Sequence, residues 1–143
     1  MNRHQMEAKR YLSQAFGINK RIESKLDQIQ ELRDLATKAT ISYSDMPYDP
    51  NKGKSRVEDS VIKIVDLEGE INRDVLELVD LKVDIIRRIN EVENTELRTI
   101  LDLRYLKYMR WEQIAAELGY GMSNTYELHT KALDAMTVPD IPE

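Results

Sequence analysis

The chain has 143 residues, of which 41% are hydrophobic and 33% charged, with a formal net charge of −5. That length holds one ordinary domain or an extended arm with a small head, and excludes a large enzyme. The absence of cysteine excludes disulfides, a thiol nucleophile and thiolate metal sites, while high charge with only 6% aromatic residues fits long solvated helices.

The N-terminal segment, Met1-Asn2-Arg3-His4-Gln5-Met6, has no apolar core for a signal peptide. No stretch of the chain approaches the length needed to span a bilayer, so the expectation is a soluble, cytoplasmic protein with no membrane partner. Helix signals run from about residue 4 to 39. Leu12, Ala15, Ile22, Leu26, Ile29 and Ala36 recur at three- and four-residue steps or their multiples, which predicts one long amphipathic helix weakest at Gly17.

Residues 40–54 carry Pro47, Pro50, Asn51 and Gly53, which stop helices and form turns. Asp49-Pro50-Asn51-Lys52-Gly53 only superficially resembles a calcium loop, since the position of the bidentate Glu is Ser60. Ser55 with Glu58 three residues on reads as a capping box opening a second long helix. Along it Val57, Val61, Ile64, Glu68, Ile71, Val75, Leu78, Lys82, Ile85, Ile89 and Val92 form a coiled-coil seam interrupted by two charges. Each long helix spans roughly 54 Å at about 1.5 Å per residue.

Residues 1–40 hold eight basic against five acidic side chains, and residues 58–93 five against eleven. Basic helix on acidic helix favours an antiparallel hairpin, with the apolar seam supplying most of the stability and the charges choosing the partner. Pairing of helices from two copies of the chain satisfies the same pattern.

Asn94 is a good N-cap and marks the boundary of a C-terminal head. The expected division is therefore a helical arm at 1–93, a head at 94–136 and a flexible tail at 137–143, where Pro139 and Pro142 oppose regular structure. The head reads as helices at about 95–108, 111–118 and 122–136. Within Trp111-Glu112-Gln113-Ile114-Ala115-Ala116-Glu117-Leu118-Gly119, small Ala115 permits a close helix crossing. Gly119 supplies the left-handed residue that ends the helix, the signature of a helix-turn-helix. The fold class is thus all-α: two long helices followed by a three-helix head.

Catalysis has little to stand on. The two histidines, His4 and His129, lack the companions of a triad or metal site, and His129 is expected to be structural. Asp84 with Arg88 and Asp34 with Lys38 read as solvated i,i+4 pairs. We therefore expect a non-enzyme without metal or cofactor.

Leu97-Arg98-Thr99-Ile100-Leu101-Asp102-Leu103-Arg104-Tyr105, the Trp111–Gly119 segment and Lys131-Ala132-Leu133 together resemble region 4 of bacterial sigma factors. Further along the chain, Tyr11-Leu12-x-Gln14-Ala15, Leu32-Arg33-x-Leu35-Ala36-Thr37 and 64–72 (Ile-Val-Asp-Leu-Glu-x-Glu-Ile-Asn) extend this to a likeness with phage and prophage late transcription regulators of the ArpU/RinA type. The resemblance implies a phage-encoded regulator that enters the DNA major groove with helix 122–136, with double-stranded DNA as partner and RNA polymerase as a further one. In that geometry Thr125, Leu128 and Ala132 face inward. Ser123, Asn124, Glu127, Thr130 and Lys131 face outward, with Asn124 for adenine, Glu127 for a cytosine amine, and Lys131, Arg110 and Lys107 for phosphates. Tyr126 lies against the sugar or packs on the first long helix.

Residues 94–136 carry five basic against six acidic side chains, so a single head has little of the charge that drives phosphate binding. A homodimer or larger homo-oligomer raises effective concentration and offsets this. Two other readings stay open at this point. One is a protein-interaction module with a degenerate helix-turn-helix, facing polymerase, a host regulator or a defence protein. The other is a DNA-packaging protein like a small terminase subunit.

Overall fold

In a computed structural model the described residues are 1–44 and 52–139, with side-chain surroundings for 1–38 and 56–139. All regular structure among them is helical. The elements are α1 (Arg3–Ser44), α2 (Lys52–Asn90), α3 (Thr95–Leu101), a π-helical turn (Asp102–Leu106), α4 (Trp111–Leu118) and α5 (Met122–Ala135). The turn expected around Pro47, Pro50 and Asn51 lies outside the described residues, as does the end of the tail at 140–143. α2 begins at Lys52, three residues before the expected start at Ser55.

Two compact units divide the chain: one built from residues 1–17 and 78–143, the other from 18–77. The helical pattern alone places the division at 93/94. In the packing, Ala8, Leu12 and Ala15 of α1 and Ile85, Ile89 and Val92 of α2 share one buried cluster with Ile100, Leu101, Leu103, Tyr105, Ile114, Ala132, Leu133 and Met136. The core of the three-helix head is thus continuous with these helix ends. The first tail residues join it too: Val138 packs on the cluster, and His4 Nε2 lies 2.8 Å from the Met136 carbonyl oxygen.

The unit at 18–77 pairs the remaining lengths of α1 and α2. Arg21 meets Asp74 and Glu77, Lys25 meets Glu70 and Asp74, and Arg33 meets Glu68, so the two segments lie side by side in opposite directions. The seam between them runs through Ile18, Ile22 and Ile29 on α1 and Leu67 and Ile71 on α2. It departs from the apolar pattern at three points. Leu26 is 51% exposed while the neighbouring Lys25 side chain is only 19% exposed. On α2, Leu67 and Asp74 are buried where Glu68 and Val75 were expected.

At Lys25 and Asp74 the physical reason is a polar layer. Asp74 accepts from Lys25 Nζ at 2.7 Å and from an Arg21 guanidinium nitrogen at 3.0 Å, and these bonds hold its carboxyl below the usual carboxylate range. A charge placed among apolar layers is tolerated only when paired in this way, and it penalises every other register of the two helices.

The head's local geometry follows from its residues. Asn94 caps α3, its side-chain oxygen accepting from the Leu97 N–H at 3.1 Å. The predicted single helix at 95–108 changes character after Leu101. The Lys107 N–H reaches the Asp102 carbonyl, five residues back, and Tyr108 takes a left-handed φ of 55°. Gly119 ends α4 at φ 73°, ψ 28°. There the Tyr120 N–H bonds the Ala115 carbonyl at 3.0 Å and the Gly119 N–H the Ala116 carbonyl at 3.3 Å, a Schellman closure. Gly121 precedes α5, and the Thr125 hydroxyl turns back to its carbonyl at 2.9 Å.

Candidate nucleic-acid interface

One side of α5 is fixed by burial. Thr125, His129, Ala132 and Leu133 are buried and Leu128 is half-buried, the i, i+3/i+4 spacing that seats a helix on a core. Trp111, the first residue of α4, anchors this seating by meeting the His129 ring edge-on at 4.5 Å and the Tyr126 ring at 5.3 Å. Arg104 closes the other side of the indole, its guanidinium 4.7 Å from the ring centre. Beneath the stack, the Tyr105 hydroxyl and His129 Nε2 share a 2.6 Å hydrogen bond. Burial pushes the Tyr105 phenol up to about 12 and, with the nearby charges of Lys9 and Arg104, the His129 imidazole down to about 4. The Tyr105–His129 pair behind α5 is therefore uncharged at neutral pH.

The opposite side presents the residues singled out from sequence. Ser123, Asn124, Tyr126, Glu127 and Lys131 are exposed, while Thr130 is half-buried with its hydroxyl spent on the Tyr126 carbonyl at 3.0 Å. Lys131 Nζ stands 3.6 Å from Glu127, so the two charges partly compensate each other. Tyr126 packs on Trp111, the two ring centres 5.3 Å apart.

Lys107 and Arg110 are also exposed, on the segment leading into α4. Lys107 Nζ is 3.6 Å from Asp102. The Arg110 N–H is capped by the Gln113 side chain at 3.2 Å, a role the sequence pattern did not assign. Exposed amide, hydroxyl, carboxylate and ammonium groups along one helical stripe can exchange hydrogen bonds with base edges and phosphates. They offer no nucleophile paired with a base. Among the described residues no group of three or more His, Asp or Glu side chains is placed to hold a metal ion, and no helix is long and apolar enough to cross a membrane.

Sequence reasoning missed the aromatic backing. His129 was expected to be structural, but its partners Tyr105, Trp111 and Arg104 lie 18 to 25 positions away with no local pattern linking them.

A family model described as a protein of unknown function, DUF1492, matches residues 42–137, from the end of α1 through α5. Neither a curated protein nor a solved structure matches the chain.

Proposed function

The chain belongs to the DUF1492 family, and we propose that this member is a non-catalytic, DNA-binding transcriptional regulator of the phage ArpU/RinA-like kind. In this reading α4, the Gly119–Gly121 turn and α5 form a sigma-region-4-like helix-turn-helix, carried by a hairpin of the two long helices. The observation that carries it is the division of α5 into a buried neutral side held by Trp111 and His129 and a free polar side holding Asn124 and Lys131. A helix so mounted is rigid where it is buried and unobstructed where it would enter a groove. Asn124 is assigned to an adenine edge, and Lys131, Lys107 and Arg110 to phosphates.

The reading includes pairing of two copies through α2. Ile62, Val65, Leu76, Val79, Val83 and Ile86 are all exposed. With Gly69 and Asn72 between them, they fall at alternating three- and four-residue steps over roughly 36 Å of helix. That is a second heptad stripe, distinct from the one facing α1, and it matches a copy of itself. Two heads on one dimer bind a duplex at higher effective concentration than either alone, which offsets the net-acidic charge of the segment.

Selection of bound duplexes from a random-sequence DNA library, followed by fluorescence anisotropy on the enriched sequence, tests the proposal. Enrichment of one motif with binding at least a hundredfold tighter than to scrambled duplex supports it. Binding indifferent to sequence, or none at low salt, would move the chain to the protein-interaction reading that the exposed Glu112, Glu117 and Glu127 favour.

A further inference from the structure

Within the unit formed by residues 1–17 and 78–143, a cleft of about 300 Å³ opens between α1 and the segment joining α3 to α4. Leu12, Ser13 and Phe16 line it from α1, and Arg104, Tyr105, Tyr108 and Arg110 from the opposite wall. The opposite wall departs from regular α-helix. It comprises the π-helical turn at Asp102–Leu106 and the left-handed Tyr108, conformations that cost free energy and that recur where a chain is shaped around a ligand. Leu12 and Tyr105 give a buried apolar floor, and the edge-on pair of Phe16 and Tyr108 at 5.5 Å supplies aromatic surface.

The charge of this wall is one-sided. Among the described residues, neither Arg104 nor Arg110 has a carboxylate within ion-pair distance, and both guanidinium groups line the same cleft. Arg104 spends one nitrogen on the Met109 carbonyl at 2.9 Å and its face on Trp111, and it keeps further N–H donors. Lys82, on α2, holds its Nζ 5.3 Å from the centre of the Tyr108 ring without lining the cleft itself. A guanidinium fork matches a planar carboxylate through two parallel hydrogen bonds, and an aromatic, apolar floor matches a ring. The volume, at the low end of ligand pockets, suits one ring with one anionic group.

We propose that this cleft is a binding site for a small aromatic carboxylate, with the anion held by Arg104 and Arg110 and the ring against Phe16, Tyr105 and Tyr108. The proposal does not rest on DNA binding and is tested without DNA. Trp111 is the sole tryptophan, so a ligand that engages Arg104 changes the environment of a unique fluorophore.

The experiment titrates the full chain with phenylacetate by calorimetry and by Trp111 emission. Parallel titrations use 2-phenylethanol as the neutral counterpart, acetate as the ringless anion and adenosine monophosphate as the phosphate-bearing one. Saturable phenylacetate binding is expected, at least tenfold tighter than for 2-phenylethanol or acetate. Arg110→Met, on an exposed side chain, should weaken it about tenfold, and Arg104→Met likewise, whereas Arg98→Met on α3 should leave it unchanged. Tighter binding of the nucleotide than of phenylacetate would overturn the carboxylate assignment. Absence of saturable binding, equal affinity for the neutral alcohol, or an Arg110→Met protein that binds as the parent does would overturn the site.

Discussion

Tyr105 and His129 share a buried hydrogen bond of 2.6 Å that ties the π-helical turn to the middle of α5. Nothing in their separation of 24 residues announces it, yet it is a direct polar tie between the turn and the buried side of α5. It also makes the fold sensitive to acid. The imidazole is held neutral, with a pKa of about 4 against an ordinary value of about 6.5, chiefly because it is buried. Below pH 6.5 the unfolded chain takes up a proton that the folded chain refuses. Stability is therefore fully present above about pH 6.5 and is lost as pH falls toward 4, by on the order of 3 kcal/mol. Urea denaturation between pH 7 and 4 should show this slope in the parent and a flatter one in His129→Gln. Asp84, held down to about 2 chiefly by the Tyr11 hydroxyl and then by Arg88 and Arg87, adds its own loss only below about pH 3.8.

The Asp74 layer predicts a different pattern in the unit at 18–77. Asp74→Asn leaves Lys25 and Arg21 without their shared anion and should lower the melting temperature by a few °C. Replacing Asp74 and Lys25 together by Leu should restore or exceed the parent value, because matched apolar layers carry no desolvation cost. Calorimetry on the three proteins gives the answer; a double variant less stable than Asp74→Asn would show that the pair contributes more than register.

The shared core predicts that damage to α4 spreads. Ala115 is 5% exposed, and glutamate there forces a charge against α5. Because Ala8, Leu12 and Ala15 pack in the same cluster as Ile114 and Leu133, Ala115→Glu should strip hydrogen-exchange protection from residues 8–15 along with 111–135, while 18–38 stays protected. Loss confined to 95–136 would mean that the head folds independently of the helix ends.

The outer stripe of α2 predicts the assembly state. Leu76→Asp with Val83→Asp places two charges in the proposed seam at positions already 67% and 63% exposed, where the fold itself should tolerate them. Light scattering should report a dimer for the parent and a monomer for the double variant, with unchanged helicity. Identical masses would remove α2 as the joining surface.

The chain's regular parts were legible because they obey simple periods. The all-helical character, the Asn94 cap, the Gly119 left-handed turn and the i,i+4 pair of Asp84 with Arg88 follow from residue type and spacing. The seam was misplaced by one position at Lys25 and Asp74 because an apolar count prefers Leu26 and Val75, and at Leu67 because the regular four-then-three step from Ile64 to Ile71 lands on Glu68. An apolar count cannot see that a lysine and an aspartate on different helices neutralise each other. Along the interface, the burial pattern of α5 is a local period and can be read from sequence. The Trp111 stack, the π-helical turn and the cleft against Phe16 depend on contacts between distant segments, which no local pattern encodes.

The most direct test of the account is the salt dependence of duplex binding by the parent, Lys131→Ala and Asn124→Ala. The parent should bind its selected site with affinity falling steeply as salt rises. Lys131→Ala should reduce that slope by about one phosphate contact, and Asn124→Ala should keep the slope but lose about 1–3 kcal/mol of preference at one base pair. If both variants bind as the parent does, α5 does not touch DNA and the regulator reading is contradicted.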